Sequence, residues 1–124
     1  MKRILVIEDS VEFREYIAEV LRLCGFALDE APDATRAIVL AHHAHPDLIL
    51  CDLHLPGIDG YSAVETIQRR EGRVPFVVLS ADAEEAQIRR GMELGAEAYV
   101  LKPIAVNDLV NLVRRCIRHL PEAA

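Results

Sequence analysis

Acidic side chains directly follow two apolar runs of the sequence, and a serine and a lysine follow two others. Glu8 and Asp9 come after the first run and Asp52 after the third, while Ser80 and Lys102 come after the fourth and fifth. Two carboxylates about 4 Å apart repel each other by about 4 kcal/mol at an effective dielectric constant of about 20. Acids gathered in one place therefore need a cation or shifted pKa values. Mg²⁺ suits such a place because it prefers oxygen ligands, keeps several waters and accepts a phosphate oxygen.

Five short apolar runs alternate with helical patterns along the chain and predict five β-strands. The runs are residues 4–7, 27–31, 48–51, 76–79 and 99–101. The segments between them repeat apolar residues with a period near 3.6, which predicts helices. This strict alternation predicts an α/β fold in which a parallel sheet carries helices on both faces, joined by right-handed crossovers.

Capping and stop residues mark the predicted helices. Gly25 ends the first helix, while Asp33 caps the second and Pro46 prevents it from continuing. Asp82 and Glu85 have the spacing of a capping-box variant and predict the start of the fourth helix. The apolar positions that mark the first, third and fifth helices are Phe13, Ile17, Leu21 and Cys24, then Tyr61, Val64 and Ile67, then Val106, Leu109, Val113, Ile117 and Leu120.

The polar residues that follow the strands are expected to meet at one edge of the sheet, because the functional crevice of open parallel sheets lies beyond the carboxyl ends of the strands. The alternative is that the acids only cap the helices that follow them. Capping does not account for Asp52, because residues 53–60 contain one proline and two glycines and predict a loop. Capping does not account for Lys102 either. Its ammonium could bind a carboxylate or phosphoryl group, and Ser80 can donate a hydrogen bond to the same group.

The bulk composition limits the classes of function. The 124 residues carry a formal net charge of −6 and are 52% hydrophobic and 27% charged, which predicts one domain that folds alone. The negative charge argues against direct binding to nucleic acid or to an anionic membrane. No apolar run approaches the roughly 18 residues that a membrane span needs. Three separated cysteines predict neither a disulfide framework nor a zinc site, and the expected location is the cytoplasm.

Four motifs resemble those of the receiver domains of response regulators, and the resemblance covers essentially the whole chain. The motifs are Glu8-Asp9, the loop DLHLPGIDG that begins at Asp52, Leu79-Ser80-Ala81, and YVLKP ending at Pro103. The resemblance implies a flavodoxin-like fold with strand order 2-1-3-4-5, which alternation alone does not select. It also implies a receiver domain over residues 1–120, with residues 121–124 as a short tail or the start of a linker.

The resemblance implies a role in phosphotransfer for each acid at this edge. Asp52 is implied to be the nucleophile that takes a phosphoryl group from a phosphohistidine of a sensor histidine kinase or a histidine phosphotransfer protein. Asp9 and Asp52 are implied to bind Mg²⁺ directly, Glu8 through water, and His54 through its backbone carbonyl. The implied chemistry is self-catalysed phosphotransfer and dephosphorylation at Asp52, so the chain is not expected to be an enzyme with a separate substrate.

The resemblance also implies a switch. Ser80 and Lys102 are implied to contact the phosphoryl oxygens, and the peptide bond from Lys102 to Pro103 is implied to be cis. Ser80 is expected to move toward the phosphoryl group while Tyr99 turns inward into the space it leaves, which is a two-state element. The alternative for Tyr99 is an ordinary half-buried residue. The face formed by helix four, strand five and helix five is the expected site for a homodimer or an effector.

His54 and Asp82 lie two residues after Asp52 and Ser80, at variable positions that tune the lifetime of the phosphorylated state in the family. We expect His54 to obstruct the attacking water, and the alternative is a side chain that faces solvent. His42, His43 and His45 invite comparison with a metal site, but their position at a helix end predicts a solvated terminus.

Several other interpretations of the function remain open beside the receiver domain. A haloacid dehalogenase-like phosphatase expects a second acid two residues after its nucleophile, where this chain has His54. A flavodoxin-like FMN carrier needs amides after the first strand to receive a phosphate, which Glu8 and Asp9 would repel. A receiver-like module that binds partners without phosphate is the remaining alternative. The basic residues of the last two helices fit either ordinary solvent faces or contact with an acidic partner or nucleic acid; they are Arg89, Arg90, Arg114, Arg115 and Arg118.

Overall fold

The computed structural model describes residues 1–118 as five strands that alternate with five helices. The predicted position Leu120 and the predicted tail lie outside the described residues. In chain order, the elements are β1 (Arg3–Ile7), α1 (Val11–Leu23), β2 (Ala27–Ala31), α2 (Ala34–Ala44), β3 (Leu48–Cys51), α3 (Gly60–Glu71), β4 (Phe76–Ser80), α4 (Glu85–Glu93), β5 (Ala98–Leu101) and α5 (Val106–Arg118). Each apolar run of the sequence forms a strand, so the predicted alternation is confirmed.

The five strands form one parallel sheet in the order β2-β1-β3-β4-β5, which confirms the flavodoxin-like topology. Ile7 at the end of β1 is paired with both Ala31 and Cys51. The backbone N–H of Asp52 donates to the carbonyl of Ile7 at 3.0 Å. This register brings the residues that follow β1 and β3 to the same edge of the sheet.

Two apolar layers cover the faces of the sheet, and alternate residues of β1 enter different layers. Leu5 and Ile7 belong to the layer that α2 and α3 cover, whereas Ile4 and Val6 belong to the layer that α1 and α5 cover. Every residue of β3 and β4 is buried. Strands covered on both sides favour apolar side chains on both faces, which is why residues 48–51 and 76–79 form continuous apolar runs in the sequence.

The start of α4 differs from the capping-box prediction, which is therefore wrong. Glu84 is the N-cap residue of α4, and its side chain makes no capping hydrogen bond. Asp82 instead accepts from the backbone N–H of Glu84 at 2.9 Å, which folds the loop before the helix. An acidic side chain that accepts from a nearby backbone amide can form either a cap or an Asx-turn, and the sequence spacing does not separate the two.

Other boundaries follow the predicted signals. Asp33 caps α2 by accepting from the amide of Arg36 at 2.8 Å, and Gly25 follows α1 with a φ of 95°. That left-handed conformation is open to glycine without steric cost. Among the helices of residues 1–118, none has the length and apolar character needed to cross a membrane.

Candidate functional site

Three carboxylates meet at the carboxyl edge of the sheet. Oxygens of Glu8, Asp9 and Asp52 all lie within 4.8 Å of one another. Glu8 and Asp52 are buried, with 3% and 9% of their surface exposed, while Asp9 is exposed. The parallel register of β1 and β3 places these acids together, as the sequence predicts. Such a cluster of oxygen donors is suited to a hard divalent cation.

Lys102 provides the positive charge of this cluster. Its Nζ donates to the carboxylate of Glu8 and to Oδ2 of Asp52, the latter at 3.2 Å. Burial raises the pKa of Glu8, and the hydrogen bond from Lys102 offsets this only in part. Burial works against the charge of Lys102, but its hydrogen bond with Glu8 and the charge of Asp52 outweigh that effect and raise its pKa. One ammonium among three carboxylates leaves negative charge at this edge that another cation could balance.

The loop after Asp52 depends on a close backbone contact at Gly60. A Cβ atom at position 60 would lie 2.1 Å from the backbone oxygen of Asp52 and 2.9 Å from Sγ of Cys51. The amide of Gly60 also donates to the carbonyl of Leu53 at 2.9 Å. Glycine is therefore required where the loop turns back into α3, and this turn holds the loop beside the acids.

Asp82 connects the predicted switch residues. The hydroxyl of Ser80 accepts from the amide of Asp82 at 3.1 Å, and the hydroxyl of Tyr99 donates to the Asp82 carbonyl at 2.5 Å. Ser80 is fully buried, and the half-buried ring of Tyr99 packs against the apolar layer of α2 and α3. Burial raises the pKa of Tyr99. Ser80 and Tyr99 thus contact the same residue of the β4–α4 loop.

His54 and Asp82 bridge the two loops that flank Asp52. Nε2 of His54 lies 2.9 Å from Oδ2 of Asp82, and the backbone N–H of His54 donates to Oδ1 of Asp52 at 3.4 Å. The imidazole is 64% exposed, so it does face solvent, but it is held by Asp82. The hydrogen bond from Glu84 and then that from His54 lower the pKa of Asp82. Metal binding by the His54 carbonyl stays a prediction.

Two residues near the site were not predicted to act there. The ring of Phe13 lies 4.4 Å from Nζ of Lys102, measured to the ring centroid. Arg14 donates from Nη1 to the backbone carbonyl of Glu8 at 2.9 Å. The periodic pattern assigns Phe13 to the apolar face of α1 and gives no reason to expect a cation beside it. Its position in the first turn of α1, directly after the acids that follow β1, is the signal that could have pointed to the site.

The histidines at the end of α2 lie away from this site. His42 and His45 are 70% and 74% exposed and face the carboxylate of Glu71 on α3, at 3.1 Å and 3.9 Å respectively. The carboxylate group of Glu8, Asp9 and Asp52 is the single candidate metal cluster within residues 1–118. The solvated helix end expected for these histidines agrees with their exposure.

The Lys102–Pro103 peptide bond is cis, the isomer that the resemblance implies.

Comparisons with known proteins agree with this arrangement. A family model described as "Response regulator receiver domain" matches residues 4–114. The chain is 36% identical over 117 residues to "DNA-binding response regulator MtrA" of Mycobacterium tuberculosis, covering 94% of this chain and 51% of that protein. It is 33% identical over 119 residues to "Probable transcriptional regulator ycf27" of Galdieria sulphuraria, covering 96% of this chain and 46% of that protein. The chain spans about half the length of the curated relatives it matches.

Solved structures give the same result. The non-phosphorylated HemR receiver domain from Leptospira biflexa is 30% identical, with a TM-score of 0.90, over 100% of this chain and 99% of that one. A CheY-like receiver domain protein from Methanospirillum hungatei is 21% identical with a TM-score of 0.90, over 95% of this chain and 94% of that one, and supports the fold alone. The chain belongs to the response regulator receiver domains, the phosphoacceptor switches of two-component signalling.

Proposed function

We propose that Asp52 is the phosphoacceptor of this receiver domain and that Mg²⁺ assists the transfer. The observation that carries the proposal is the position of Asp52, which lies at the end of β3 among two other acids and 3.2 Å from the ammonium of Lys102. A carboxylate that attacks a phosphoryl group needs positive charge near the incoming oxygens. Lys102 supplies one such charge, and the acids provide ligands for another.

The donor set at this edge fits Mg²⁺. Asp9 and Asp52 would bind the ion directly, Glu8 through a water, and His54 through its backbone carbonyl. All of these donors are oxygens, which Mg²⁺ prefers, and the three carboxylates carry more negative charge than Lys102 balances. When bound, the ion would supply neutralisation of the phosphoryl oxygens, which lets one anion approach another.

The phosphoryl donor in this proposal is a phosphohistidine of a sensor histidine kinase or a histidine phosphotransfer protein. A carboxylate oxygen of Asp52 bonds to phosphorus while the P–N bond breaks and its electron pair returns to the imidazole. Lys102 then donates to a phosphoryl oxygen from its present position beside Asp52. Transfer and hydrolysis both take place at Asp52, so the domain acts as a switch and not as an enzyme with a separate substrate.

The proposed switch begins at Ser80. Its hydroxyl accepts from the amide of Asp82, and turning toward a phosphoryl oxygen would release that amide. Asp82 also holds Tyr99 through its carbonyl and the turn before α4 through its carboxylate, so a movement of Asp82 would reach both. The α4-β5-α5 face carries the exposed apolar side chains of Met92, Leu101 and Val106. We assign this face to a homodimer or an effector, with no direct contact to nucleic acid or membrane.

His54 and Asp82 would tune the lifetime of the aspartyl phosphate. Their 2.9 Å contact joins the loops on the two sides of Asp52, where water must approach the phosphorus. Removing the imidazole opens that approach, so we expect faster decay in His54→Ala. Decay of the aspartyl phosphate that is unchanged in this variant would refute the role.

Intact mass spectrometry tests the proposed function. The protein is incubated with acetyl phosphate, with and without Mg²⁺, and the wild type is compared with Asp52→Asn. We expect a Mg²⁺-dependent gain of about 80 Da, the mass of one phosphoryl group, which is absent from the variant. A folded wild-type protein that gains no mass under any condition would contradict the proposal and favour a partner-binding module that works without phosphate.

A further inference from the structure

Lys102 has an aromatic neighbour as well as two acidic ones. Its side chain is 20% exposed, and its Nζ lies 4.4 Å from the ring centroid of Phe13 while it donates to Glu8 and Asp52. The face of an aromatic ring carries partial negative charge and attracts an ammonium within about 6 Å. This attraction is stronger where the cation has lost part of its water, as Lys102 has.

Phe13 lies in the first turn of α1. Its amide donates to the capping hydroxyl of Ser10 at 3.4 Å, and its half-buried ring packs against the apolar layer of α1 and α5. The next residue, Arg14, anchors the same turn to the carbonyl of Glu8 at 2.9 Å. These contacts place the ring beside the carboxyl end of β1, on which the acidic edge depends.

The ring attracts the ammonium in a way that the carboxylates do not. A lysine ammonium has three N–H donors, and the two carboxylates engage it by hydrogen bonds. The ring attracts the cation without a strong acceptor atom, so it does not compete with a phosphoryl oxygen for a donor. Glu8 and Asp52 alone would draw Nζ toward the acids, whereas the ring holds it from the α1 side.

We propose, on the basis of phosphotransfer at Asp52, that Phe13 is a positioning residue that holds the Lys102 ammonium where it can meet the incoming phosphoryl oxygens. The role belongs to the aromatic face and not to apolar bulk. Leucine at position 13 would fill similar space without attracting the cation, while tyrosine or tryptophan would retain the attraction.

Phe26 provides a matched control. It precedes β2, at the opposite edge of the sheet from Asp52, and its half-buried ring packs against the same apolar layer as Phe13. Phe26→Leu therefore makes the same chemical change in the same layer, away from Lys102. Circular dichroism establishes that each variant is folded before it is compared.

NMR spectroscopy tests the position of Lys102 without any phosphodonor. Lys2 and Lys102 are the two lysines of the chain, so protein labelled with ¹³C-lysine gives two ε-methylene signals. A methylene beside the face of a ring is shifted upfield by the ring current. We expect the Lys102 signal to lie upfield of the Lys2 signal, to lose this shift in Phe13→Leu, and to keep it in Phe13→Tyr and in Phe26→Leu.

Phosphorylation by acetyl phosphate at saturating Mg²⁺ tests the effect on the reaction. We expect the rate to fall about threefold to tenfold in Phe13→Leu, the range that a cation–π contact supports, and to recover in Phe13→Tyr. In a Lys102→Met background, Phe13→Leu should change the rate by less than about twofold, because the group on which the ring acts is gone. A purely structural role would lower the rate in both backgrounds.

The two measurements separate this inference from the proposed function. A Lys102 signal without an upfield shift, or equal rates for Phe13→Leu and Phe26→Leu, would overturn the role of Phe13. A wild type that takes no phosphoryl group would overturn the proposed function and the part of Phe13 in the reaction. The NMR result would then still decide whether Phe13 positions Lys102.

Discussion

Helices α4 and α5 flank the edge strand β5, but different forces hold them to the sheet. α5 buries four apolar side chains, those of Leu109, Val110, Leu112 and Val113, and α4 buries only Gly91. Besides its contact with β5, α4 is joined to α3 by polar contacts. The hydroxyl of Tyr61 donates to the carbonyl of Gln87 at 2.6 Å, and the guanidinium of Arg90 lies 4.8 Å from the Tyr61 ring centroid.

This difference indicates which side of the α4-β5-α5 face can move. Full burial of a leucine or valine side chain stabilises a fold by about 1.5 to 3 kcal/mol. Shifting α5 would expose several such side chains and lose that stabilisation. The contacts of Tyr61 are worth about 1 kcal/mol each, and the ion pairs of Arg90 with Asp59 and Glu65 are partly exposed and worth less. Elements that move are drawn from the weakly held parts of a structure. We therefore expect a change at Asp82 to shift α4 and not α5.

The largest effect is expected from truncation of the α5 anchor. Leu109→Ala removes a side chain that is 1% exposed and should lower the free energy of unfolding by about 2 to 5 kcal/mol. Met92→Ala on α4, where the side chain is 52% exposed, should change it by less than about 0.5 kcal/mol. Urea denaturation measures both. Similar losses in the two variants would remove the distinction between the helices.

A smaller effect, whose sign depends on Tyr61, is expected at Gly91. A Cβ at this position would lie 2.6 Å from the hydroxyl oxygen of Tyr61, and the buried ring has little space to withdraw. Gly91→Ala should therefore lower the free energy of unfolding by about 1 to 3 kcal/mol. In a Tyr61→Phe background the obstructing oxygen is absent, and the same change should be neutral or stabilising because alanine favours helix. Equal effects in the two backgrounds would show that the clash does not limit how closely α4 approaches α3.

The hydroxyl of Tyr61 by itself should contribute about 1 kcal/mol, because its removal leaves the Gln87 carbonyl without this donor. Hydrogen exchange measures the local consequence: in Tyr61→Phe the amides of α4 should exchange about fivefold faster while those of α5 stay unchanged. Tyr16→Phe is the control, since Tyr16 is 44% exposed on α1. Exchange that rises equally in both helices would contradict a local attachment.

The last expected effect appears only at alkaline pH, as a dependence of stability on pH. Burial raises the pKa of Tyr61 to about 12 from an ordinary value of 10.0. The folded state therefore favours the neutral phenol, and this stabilisation is complete below pH 10 and is lost as the pH rises through about 12. The free energy of unfolding of the wild type should fall more steeply over that range than that of Tyr61→Phe. Parallel curves would place the phenol in a less buried environment.

The contrast between apolar packing and polar attachment also explains which features the sequence could predict. Strands buried on both faces need unbroken apolar runs, so β3 and β4 were evident from residues 48–51 and 76–79. The parallel sheet then brings the residues that follow the strands together, which located the acids and Lys102. The order of the strands came from the resemblance of the motifs, because alternation of strands and helices fits several orders.

The polar attachments could not be predicted in this way. Asp82 turned out to organise a loop and not to cap α4, since both roles use the same short-range hydrogen bond. Phe13 and Tyr61 fit the apolar face of a helix, and their second roles depend on partners far away in the sequence. Lys102 is 89 positions from Phe13, and Gln87 is 26 positions from Tyr61. Periodicity predicts which face of a helix is buried, but it does not predict which atoms the buried side chains contact.

Hydrogen exchange with and without acetyl phosphate and Mg²⁺ tests most directly whether phosphorylation of Asp52 is transmitted to α4 in preference to α5. We expect exchange in residues 82–93 to change in the wild type, exchange in α5 to change little, and Asp52→Asn to show neither change. Intact mass measured on the same samples establishes how much protein is phosphorylated. Phosphorylated wild-type protein whose α4 exchanges as before, or whose α4 and α5 change equally, would show that α4 is not the preferred route of the signal from Asp52.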